Sequence, residues 1–366
     1  MPPSPKTKTT KLELRTALGR VYRDVLTTPP RDCTEEEIPV ISLAPLFLED
    51  DDLGKEAKRK LAKRIRNAAV ETGFFYVRDH GIPMEVVERA RGEGMRFFRQ
   101  SEGVKGRVRQ GLSRGFNGWK EASQTNISPG ETADLKESVG PFHLLQRQFM
   151  WQYDPKYDPD PKPLDDIPEE VKPHLRAEEF VWEGTSHLPA FKPALLAYWS
   201  SCLTLSRQLL RIFALSLSLP ATYFDSRVTY PGADGVINYY PPVTAAQKAA
   251  QTVGLGSHTD LQLFTLLWQD MTGGLQVLNR QGQWINAKPI EGTLVVNIGD
   301  FLMRLRLNFN CVEGVIPTCC SEENPAKYEP ISCGDWCHLR FSQEKEEFEE
   351  KMGIQAKAPS GRVIAA

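Results

Sequence analysis

Short β-prone runs separated by glycine-containing turns dominate the chain from residue 235 to residue 300. Runs of valine, isoleucine, leucine and aromatic residues alternate there with turns at residues 273–274, 281–283 and 291–292. Strands of this length at close, regular spacing are typical of a β-sandwich or a β-barrel. The pattern therefore predicts a strand-built core in the second half of the chain.

Helical periodicity characterises the earlier part of the chain. Residues 55–71, 84–100 and 191–218 each place apolar side chains on one stripe, and residues 74–78 read as a buried strand between the first two. Periodicity is lost from about residue 101 to residue 190, as in long loops that form lids or binding walls. Helices come first and strands later, so the fold class is α+β.

These patterns divide the chain into four parts. We expect a mobile arm with at most a short helix over residues 1–34, because this part has little periodicity. An N-terminal region with the long loop follows over residues 35–190. The strand-built domain covers residues 191–340, and a charged tail covers residues 341–366.

A histidine and an aspartate stand at the start of one β-prone run. His258 and Asp260 lie two residues apart, just before an apolar run that ends at Trp268. In an extended backbone such side chains point to the same face, so both can bind one metal ion. An imidazole and a carboxylate are two of the three ligands of the facial triad that holds non-haem Fe(II). The alternative interpretation is a chance pair, with a capping aspartate and a surface histidine.

Charge and hydropathy exclude several classes of function. The formal net charge of −2 gives no electrostatic basis for binding nucleic acid or an anionic membrane. No apolar run approaches the roughly 18 residues of a membrane span. Residues 1–20 lack the apolar centre of a secretory signal. We therefore expect a soluble cytoplasmic protein, and we expect it to be a monomer.

Two further metal sites are weighed and set aside. The seven cysteines are irregularly spaced, which favours reduced thiols. A zinc site is conceivable near the C-terminus, but the spacing fits poorly with zinc motifs; its residues would be Cys319, Cys320, Cys333, Cys337 and His338. The acidic residues between 154 and 166 lack the glycine and glutamate of an EF-hand loop, so a solvated loop is the better interpretation.

Four segments in sequence order carry a family signature. Residues 73–83 are similar to the element GFFYVxNHGIP, residues 238–241 to N-x-Y-P, residues 258–268 to a strand that begins HTD, and residues 274–300 to GGLQV…GxWI…GxLVVNIGD. On these motifs the chain resembles the Fe(II)/2-oxoglutarate-dependent dioxygenases of the isopenicillin N synthase-like superfamily. The resemblance covers roughly residues 35–304. It implies a double-stranded β-helix, or jelly roll, with iron bound inside and a helical N-terminal region.

The resemblance also implies which residues bind the cofactors. His258 and Asp260 match the iron-binding pair, and Asn238 and Tyr240 match the N-x-Y residues near 2-oxoglutarate. The implied cofactors are Fe(II), 2-oxoglutarate as cosubstrate and O₂, with ascorbate as reductant. The implied reaction is hydroxylation, desaturation or cyclisation of a small organic molecule, coupled to the conversion of 2-oxoglutarate to succinate.

Two parts of the family pattern are missing from the sequence. A second histidine ligand and an R-x-S strand, whose arginine binds the far carboxylate of 2-oxoglutarate, should follow Asp300. No histidine occurs between His258 and His338, and Arg304 leads almost directly into a segment, 308–310, that normally lies beyond R-x-S. We hypothesise that an internal segment is missing near residues 304–307. The jelly-roll core would then be incomplete on its C-terminal side.

The gap leaves alternatives for the third ligand and for the function. His338 or Glu313 can be considered as a replacement ligand, although a surface or packed role is the simpler interpretation of each. His80 is expected to make a structural hydrogen bond in its turn. The chain is then either an oxidoreductase of the implied kind or a catalytically impaired variant, with an oxidase that needs no 2-oxoglutarate as a third possibility.

Overall fold

The structure is a computed structural model that describes residues 8–16, 19–121, 146–242 and 255–304. Helices and sheets are mixed, as the α+β assignment predicts. The helices of these residues are α1 (Asp52–Glu71), α2 (Met84–Phe98), α3 (Glu102–Lys105), α4 (Phe180–Glu183), α5 (Phe191–Ser216) and α6 (Asp300–Arg304).

Twelve strands occur within the described residues, and they pair into four small sheets. In chain order they are β1 (Thr9–Thr16), β2 (Gly19–Leu26), β3 (Arg31–Asp32), β4 (Val40–Ser42), β5 (Phe74–Arg78), β6 (Gly118–Lys120), β7 (Arg147–Trp151), β8 (Gly235–Tyr239), β9 (Phe264–Leu267), β10 (Gln276–Leu278), β11 (Trp284–Asn286) and β12 (Leu294–Ile298). The strand orders are β1-β2, β10-β11-β3, β4-β5-β12-β9 and β6-β7-β8.

Three of these sheets combine strands from both halves of the chain. Strand β12 pairs antiparallel with β5 and with β9, β11 pairs parallel with β3, and β8 pairs antiparallel with β7. The strand-rich second half is therefore not an independent sheet layer, because each of these sheets needs a strand from the N-terminal region.

Two compact units divide the chain. The first contains residues 1–260 and 264–299, and it holds all of the sheets just described. The second contains residues 261–263 and 300–366. Within the described part of the second unit, the Phe301 backbone N–H at the start of α6 donates to the Gln262 carbonyl over 3.1 Å.

Helix α1 follows from its capping and its apolar stripe. The Asp51 carboxylate accepts the Gly54 N–H over 2.7 Å and so caps the helix N-terminus. Buried residues recur at helical spacing, with Leu61, Ile65 and Ala68 among them. The helix ends before Gly73, whose φ of +77° suits glycine.

The predictions of α1, α2, α5 and β5 are confirmed within a few residues at their ends.

An aromatic cluster forms one part of the core. It lies between α2, α5 and one face of the β6-β7-β8 sheet, and it includes Phe97, Phe149 and Phe191. The ring centroids of Phe97 and Phe149 are 4.9 Å apart, edge to face, and those of Phe149 and Phe191 are 5.0 Å apart. This packing fixes the sheet so that its other face points away from the cluster.

The N-terminal part differs from the mobile arm, with at most a short helix, expected over residues 1–34. Strands β1 and β2 form an antiparallel hairpin in which Leu12, Leu14 and Val25 are buried against Leu278 and Trp284. The physical reason is a period of two: Leu12 and Leu14 point to the same side of a strand, and this short alternation is enough for a hairpin that packs on β10 and β11.

The acidic segment of the long loop is also less solvated than expected. Residues 155–157 and 164–166 form single 3₁₀ turns. Asp158 between them is buried, because Arg207 of α5 binds it bidentately over 2.6 and 2.7 Å and the Tyr153 hydroxyl donates to it over 2.6 Å. The expectation of a solvated loop is therefore wrong at Asp158.

In the part of the chain that the structure describes, no helix combines the length and the apolar character that crossing a membrane requires.

Candidate functional site

The His258–Asp260 pair lies in irregular backbone before β9, not within a strand as the sequence indicated. The two side chains still converge, with His258 Nε2 and Asp260 Oδ1 3.5 Å apart. His258 Nδ1 lies 2.9 Å from the Gly256 carbonyl oxygen. A carbonyl oxygen can only accept, so Nδ1 carries a proton and, in the neutral ring, Nε2 presents its lone pair towards Asp260.

The Asp260 carboxylate is oriented by two neighbouring strands. Its Oδ2 atom accepts the Thr265 hydroxyl over 2.5 Å and the Asn297 side-chain amide over 2.6 Å. Thr265 of β9 and Asn297 of β12 are directly opposite in the strand register. The pairing of these two strands therefore brings both donors to one oxygen, which leaves Oδ1 on the side of His258.

The same contacts keep Asp260 ionised. Burial acts to raise the pKa of this carboxyl group, but the His258 ring in its protonated form and the hydrogen bonds donated by Thr265 and Asn297 together outweigh the burial and lower the pKa to about 2. At neutral pH the site thus presents a carboxylate oxygen and an imidazole nitrogen to the same point.

This donor set fits a divalent cation. Two electron-pair donors face each other over 3.5 Å, and a cation between them removes their mutual repulsion. Metal bonds to imidazole nitrogen and carboxylate oxygen are about 2.0–2.2 Å long, so one ion can bond to both atoms. A histidine and a carboxylate are two of the three ligands of the facial triad that holds non-haem Fe(II). Among the described residues, no third histidine, cysteine, aspartate or glutamate joins the pair.

The other two predicted site residues lie on the β6-β7-β8 sheet. Asn238 Oδ1 accepts the Gln148 side-chain amide over 2.9 Å, and the Tyr240 hydroxyl accepts the Gln146 amide over 3.2 Å. Asn238 lies in β8 and Tyr240 directly follows the strand, so by alternation the two side chains are on the same side of this sheet. That face is opposite to the aromatic cluster, because Ile237 and Tyr239 pack there.

Sequence reasoning missed the four residues that hydrogen-bond to Asp260, Asn238 and Tyr240. Thr265 and Asn297 lie inside segments that were matched as strand motifs, and the sequence assigns them no role. Their signal is positional: each is a polar residue within an otherwise apolar strand. Gln146 and Gln148 carry no comparable signal, since their strand was not recognised in the long loop.

The remaining described histidines play other parts. His80 is buried, its Nδ1 accepts the Ile82 N–H over 3.1 Å, and burial lowers its pKa. The expected structural hydrogen bond in the His80 turn is therefore present. His174 and His187 are exposed. The candidate ligands Glu313 and His338, the possible zinc cysteines and His143 lie outside the described residues.

Comparison with family models matches both halves of the chain. A model described as the non-haem dioxygenase in morphine synthesis N-terminal region matches residues 38–161. A model of the 2OG-Fe(II) oxygenase superfamily matches residues 233–338, which include both His258 and Asp260.

Individual proteins agree with these matches. The 2-oxoglutarate-Fe(II) type oxidoreductase ppzC of Metarhizium rileyi is 38% identical, and the match covers 91% of this chain and 94% of the relative. A putative 2OG-Fe(II) oxygenase family protein of Caulobacter crescentus has a similar structure, with a TM-score of 0.65 and 20% identity over 84% of this chain and 99% of that chain. Neurospora crassa T7H in complex with α-ketoglutarate and thymine has a TM-score of 0.64 and 24% identity, over 85% and 98% of the two chains.

Proposed function

Because the chain belongs to the 2OG-Fe(II) oxygenase superfamily, we propose that it oxidises a small organic molecule with Fe(II) held by His258 and Asp260. Its family uses Fe(II), 2-oxoglutarate and O₂. Together these supply, when bound, the oxidant that attacks a C–H bond while 2-oxoglutarate is converted to succinate.

One observation carries the metal assignment: His258 Nε2 and Asp260 Oδ1 converge to 3.5 Å while the outer atoms of both side chains are already bonded. The Gly256 carbonyl oxygen accepts a hydrogen bond from Nδ1–H of the imidazole. Thr265 and Asn297 hold the other carboxylate oxygen. Such outer contacts orient the ligands of a metal and set the tautomer of a ligating histidine.

We assign Asn238 and Tyr240 to the binding of 2-oxoglutarate. The assignment is supported by the family motif that they match and by their position on one face of the β6-β7-β8 sheet. The Gln148 amide donates to the side-chain oxygen of Asn238, and the Gln146 amide donates to the hydroxyl oxygen of Tyr240. The N–H groups of Asn238 and the O–H of Tyr240 therefore remain as donors for carboxylate oxygens.

The substrate of the proposed reaction is a small molecule. Thymine is bound in the Neurospora crassa structure, and the family as a whole acts on small molecules. At 24% identity, that structure supports the fold of this chain.

We propose that the third iron ligand belongs to a segment that is missing from this chain. The alignment with the Metarhizium rileyi relative is 367 positions long, but it includes only 91% of the 366 residues of this chain. Some positions of the relative therefore have no counterpart here. Sequencing the transcript across codons 304–307 tests the proposal: an additional segment encoding a histidine and an R-x-S strand is expected, and a continuous transcript would contradict it.

Turnover provides the test of the proposed function. The purified chain is supplied with Fe(II), ascorbate, 2-oxoglutarate and O₂, and succinate is quantified by chromatography. We expect succinate above the metal-free control, and its loss in His258→Ala and Asp260→Ala variants. Equal succinate from the wild type and both variants would contradict the assignment. O₂ consumption without 2-oxoglutarate would instead identify the oxidase.

A catalytically impaired chain is the second candidate, and the absence of a histidine between His258 and His338 is its motivation. The comparisons favour the oxidoreductase, since both the family model and the relatives are oxygenases. The two candidates separate in the same assay, because an impaired chain would bind Fe(II) at the His258–Asp260 pair without forming succinate.

We further propose a monomer in the cytoplasm and retain the predicted domain limits, including truncation of the jelly-roll domain after about residue 304. Cys33 and Cys202, the cysteines within the described residues, are both free thiols, which supports a reducing compartment. Light scattering after size-exclusion chromatography tests the monomer against a predicted mass of 41.2 kDa.

A further inference from the structure

We infer that Asp234 binds a protonated amine or guanidine group of the substrate, beside an apolar surface formed by Met150 and Val236. The inference rests on the proposed function in one respect, the assignment of the Asn238 face of the β6-β7-β8 sheet as a wall of the oxidation site. It adds a specificity-determining residue and the chemical class of the substrate.

Asp234 lies on the same side of the sheet as Asn238. It directly precedes β8, and the odd-numbered side chains of this part of the chain, Ala233, Ile237 and Tyr239, pack against the aromatic cluster. Successive side chains of an extended strand point to opposite faces of the sheet. Asp234 therefore shares with Asn238 the face that points away from the cluster.

The Asp234 carboxylate lacks a counter-ion. Within the described residues it accepts no hydrogen bond and forms no ion pair; Arg176 acts on it through space by its charge, and Arg176 has another interaction partner. Lys120, on the same face, also has a partner of its own. Lys120 lies in the Asn238 row, about 13 Å along the strand from Asp234 at roughly 3.3 Å per residue. The carboxylate is thus available to a ligand.

The surroundings of this carboxylate favour a cation. Asp234 is half-buried, and burial raises the pKa of its carboxyl group to about 6, since it outweighs the opposite effect of the Arg176 charge. A carboxylate that is withdrawn from water without a partner costs free energy, and a bound cation offsets that cost. A protonated amine or guanidine also donates charge-assisted hydrogen bonds to carboxylate oxygens.

The row between Asp234 and Asn238 is apolar. Met150 of β7 pairs with Val236 of β8, and Val236 is 41% exposed. At about 3.3 Å per residue, this row lies roughly 7 Å along the strand from each of the two polar residues. A ligand with its cationic group at Asp234 and its hydrocarbon part over Met150 and Val236 matches both features, and it extends towards the residue assigned to 2-oxoglutarate.

Probes of equal chain length test the inference. Hexylammonium, hexylguanidinium and 1-hexanol share one hydrocarbon chain, but 1-hexanol carries no charge. They are titrated into the metal-free protein at neutral pH by ligand-observed NMR. Asp234→Ala removes the carboxylate, Asp234→Glu retains it, and Asp166→Ala, at an exposed position of a 3₁₀ turn, is the matched control.

We expect wild type to bind the cations more tightly than 1-hexanol, and Asp234→Ala to lose about tenfold in cation affinity, the effect of one hydrogen bond to a charged group. The 1-hexanol affinity of Asp234→Ala and all affinities of Asp166→Ala should be unchanged, and Asp234→Glu should retain the preference for cations. The cation that wild type binds more tightly identifies the substrate group as ammonium or guanidinium. Equal cation preferences in wild type and Asp234→Ala, or no preference in wild type, would overturn the inference.

The melting temperature separates a binding role of Asp234 from a structural one. Removal of an unpaired, half-buried carboxylate should leave the melting temperature of Asp234→Ala equal to or above that of wild type. A lower melting temperature together with an unchanged cation preference would assign a structural role to Asp234 and overturn the inference.

Mn(II) in place of Fe(II) distinguishes a failure of the inference from a failure of the proposed function. Paramagnetic Mn(II) at His258 and Asp260 should broaden the NMR signals of hexylammonium bound to wild type, and cation binding without broadening would overturn the assignment of the cation to the substrate. If the proposed function is wrong, electron paramagnetic resonance shows that Mn(II) does not bind at this pair, whereas the metal-free titration still reports on Asp234. If only the inference is wrong, Mn(II) binds normally and Asp234→Ala leaves the cation preference unchanged.

Discussion

At the scale of single residues, the candidate site depends on how Asp260 is held. The sequence motif identifies His258 and Asp260 because chemistry and spacing are both visible in a linear chain. Thr265 and Asn297 could not be identified in this way, because they meet Asp260 only when β9 pairs with β12 in one particular register. A register is a three-dimensional property, so it leaves no mark in local sequence.

Thr265→Val should weaken metal binding without removing a ligand. The substitution keeps the shape of the side chain but removes the hydroxyl that orients Asp260, and loss of such outer contacts lowers metal affinity about 10–100-fold. Anaerobic titration with Co(II), followed by its visible absorbance, measures the change. Thr272→Val in an exposed turn is the matched control, and equal affinities in the two variants would contradict a positioning role for Thr265.

At the scale of elements, the helices and strands with strong periodicity could be predicted, whereas the elements held by distant contacts could not. Helices α1, α2 and α5 bury continuous apolar stripes. Strands β6 and β7 have three and five residues within a stretch without periodicity, and the hairpin of β1 and β2 depends on packing against β10 and β11. Tertiary contacts determine these elements, so propensity alone does not reveal them.

Two ion pairs on α5 allow a comparison of burial. Arg207 binds the buried Asp158, and one turn later Arg211 binds Asp225, whose side chain is 36% exposed. Asp158→Asn leaves the partly buried Arg207 guanidinium without its counter-charge and should cost up to about 3–5 kcal/mol. Asp225→Asn should cost less than about 1 kcal/mol. Urea unfolding of the two variants measures the difference, and equal costs would show that Asp158 does not brace the long loop.

Glu37 should contribute stability that depends on pH. Its carboxylate accepts the Arg31 guanidinium over 2.6 and 2.7 Å and the Asn279 amide over 2.8 Å, and these hydrogen bonds, with Arg31 first, lower its pKa from 4.5 to about 2. Because the folded pKa lies below the unfolded one, the stabilisation is complete above pH 4.5 and is lost as pH falls towards 2.

Glu37→Gln tests this linkage. The variant should be less stable than the wild type at pH 7 by up to about 1.5–3 kcal/mol, the range for hydrogen bonds to a charged group. The difference in unfolding free energy should shrink between pH 4.5 and pH 3, and urea unfolding at each pH measures it. A difference that stays constant over this range would rule out the carboxylate charge as its cause.

At the scale of the whole molecule, the family signature predicts the class of fold and the oxidoreductase class of function, and the comparisons confirm both. The proposed departure from the family pattern lies after residue 304, in a stretch with no histidine before His338. Among the described strands, β9 forms one edge of the β4-β5-β12-β9 sheet, and a jelly roll with a missing segment has such unpaired edges. Unpaired N–H and C=O groups at an edge favour association with other chains.

Restoring the proposed segment should raise both the Fe(II) affinity and the melting temperature of the protein. We predict that inserting the corresponding segment of the Metarhizium rileyi relative between Arg304 and Leu305 raises Fe(II) affinity at least tenfold, since it would supply a third ligand. The melting temperature should rise as well. A Gly/Ser insert of the same length is the control. Equal Fe(II) affinity and melting temperature in the two insertion variants would contradict the missing-segment proposal.

Anaerobic Fe(II) titration of the wild type, His258→Ala and Asp260→Ala tests the central claim most directly. The account predicts that the wild type binds one equivalent of Fe(II) and that each substitution removes this binding while the melting temperature of the metal-free protein stays within a few degrees. Binding of one equivalent with unchanged affinity by either variant would contradict the claim that His258 and Asp260 hold the iron.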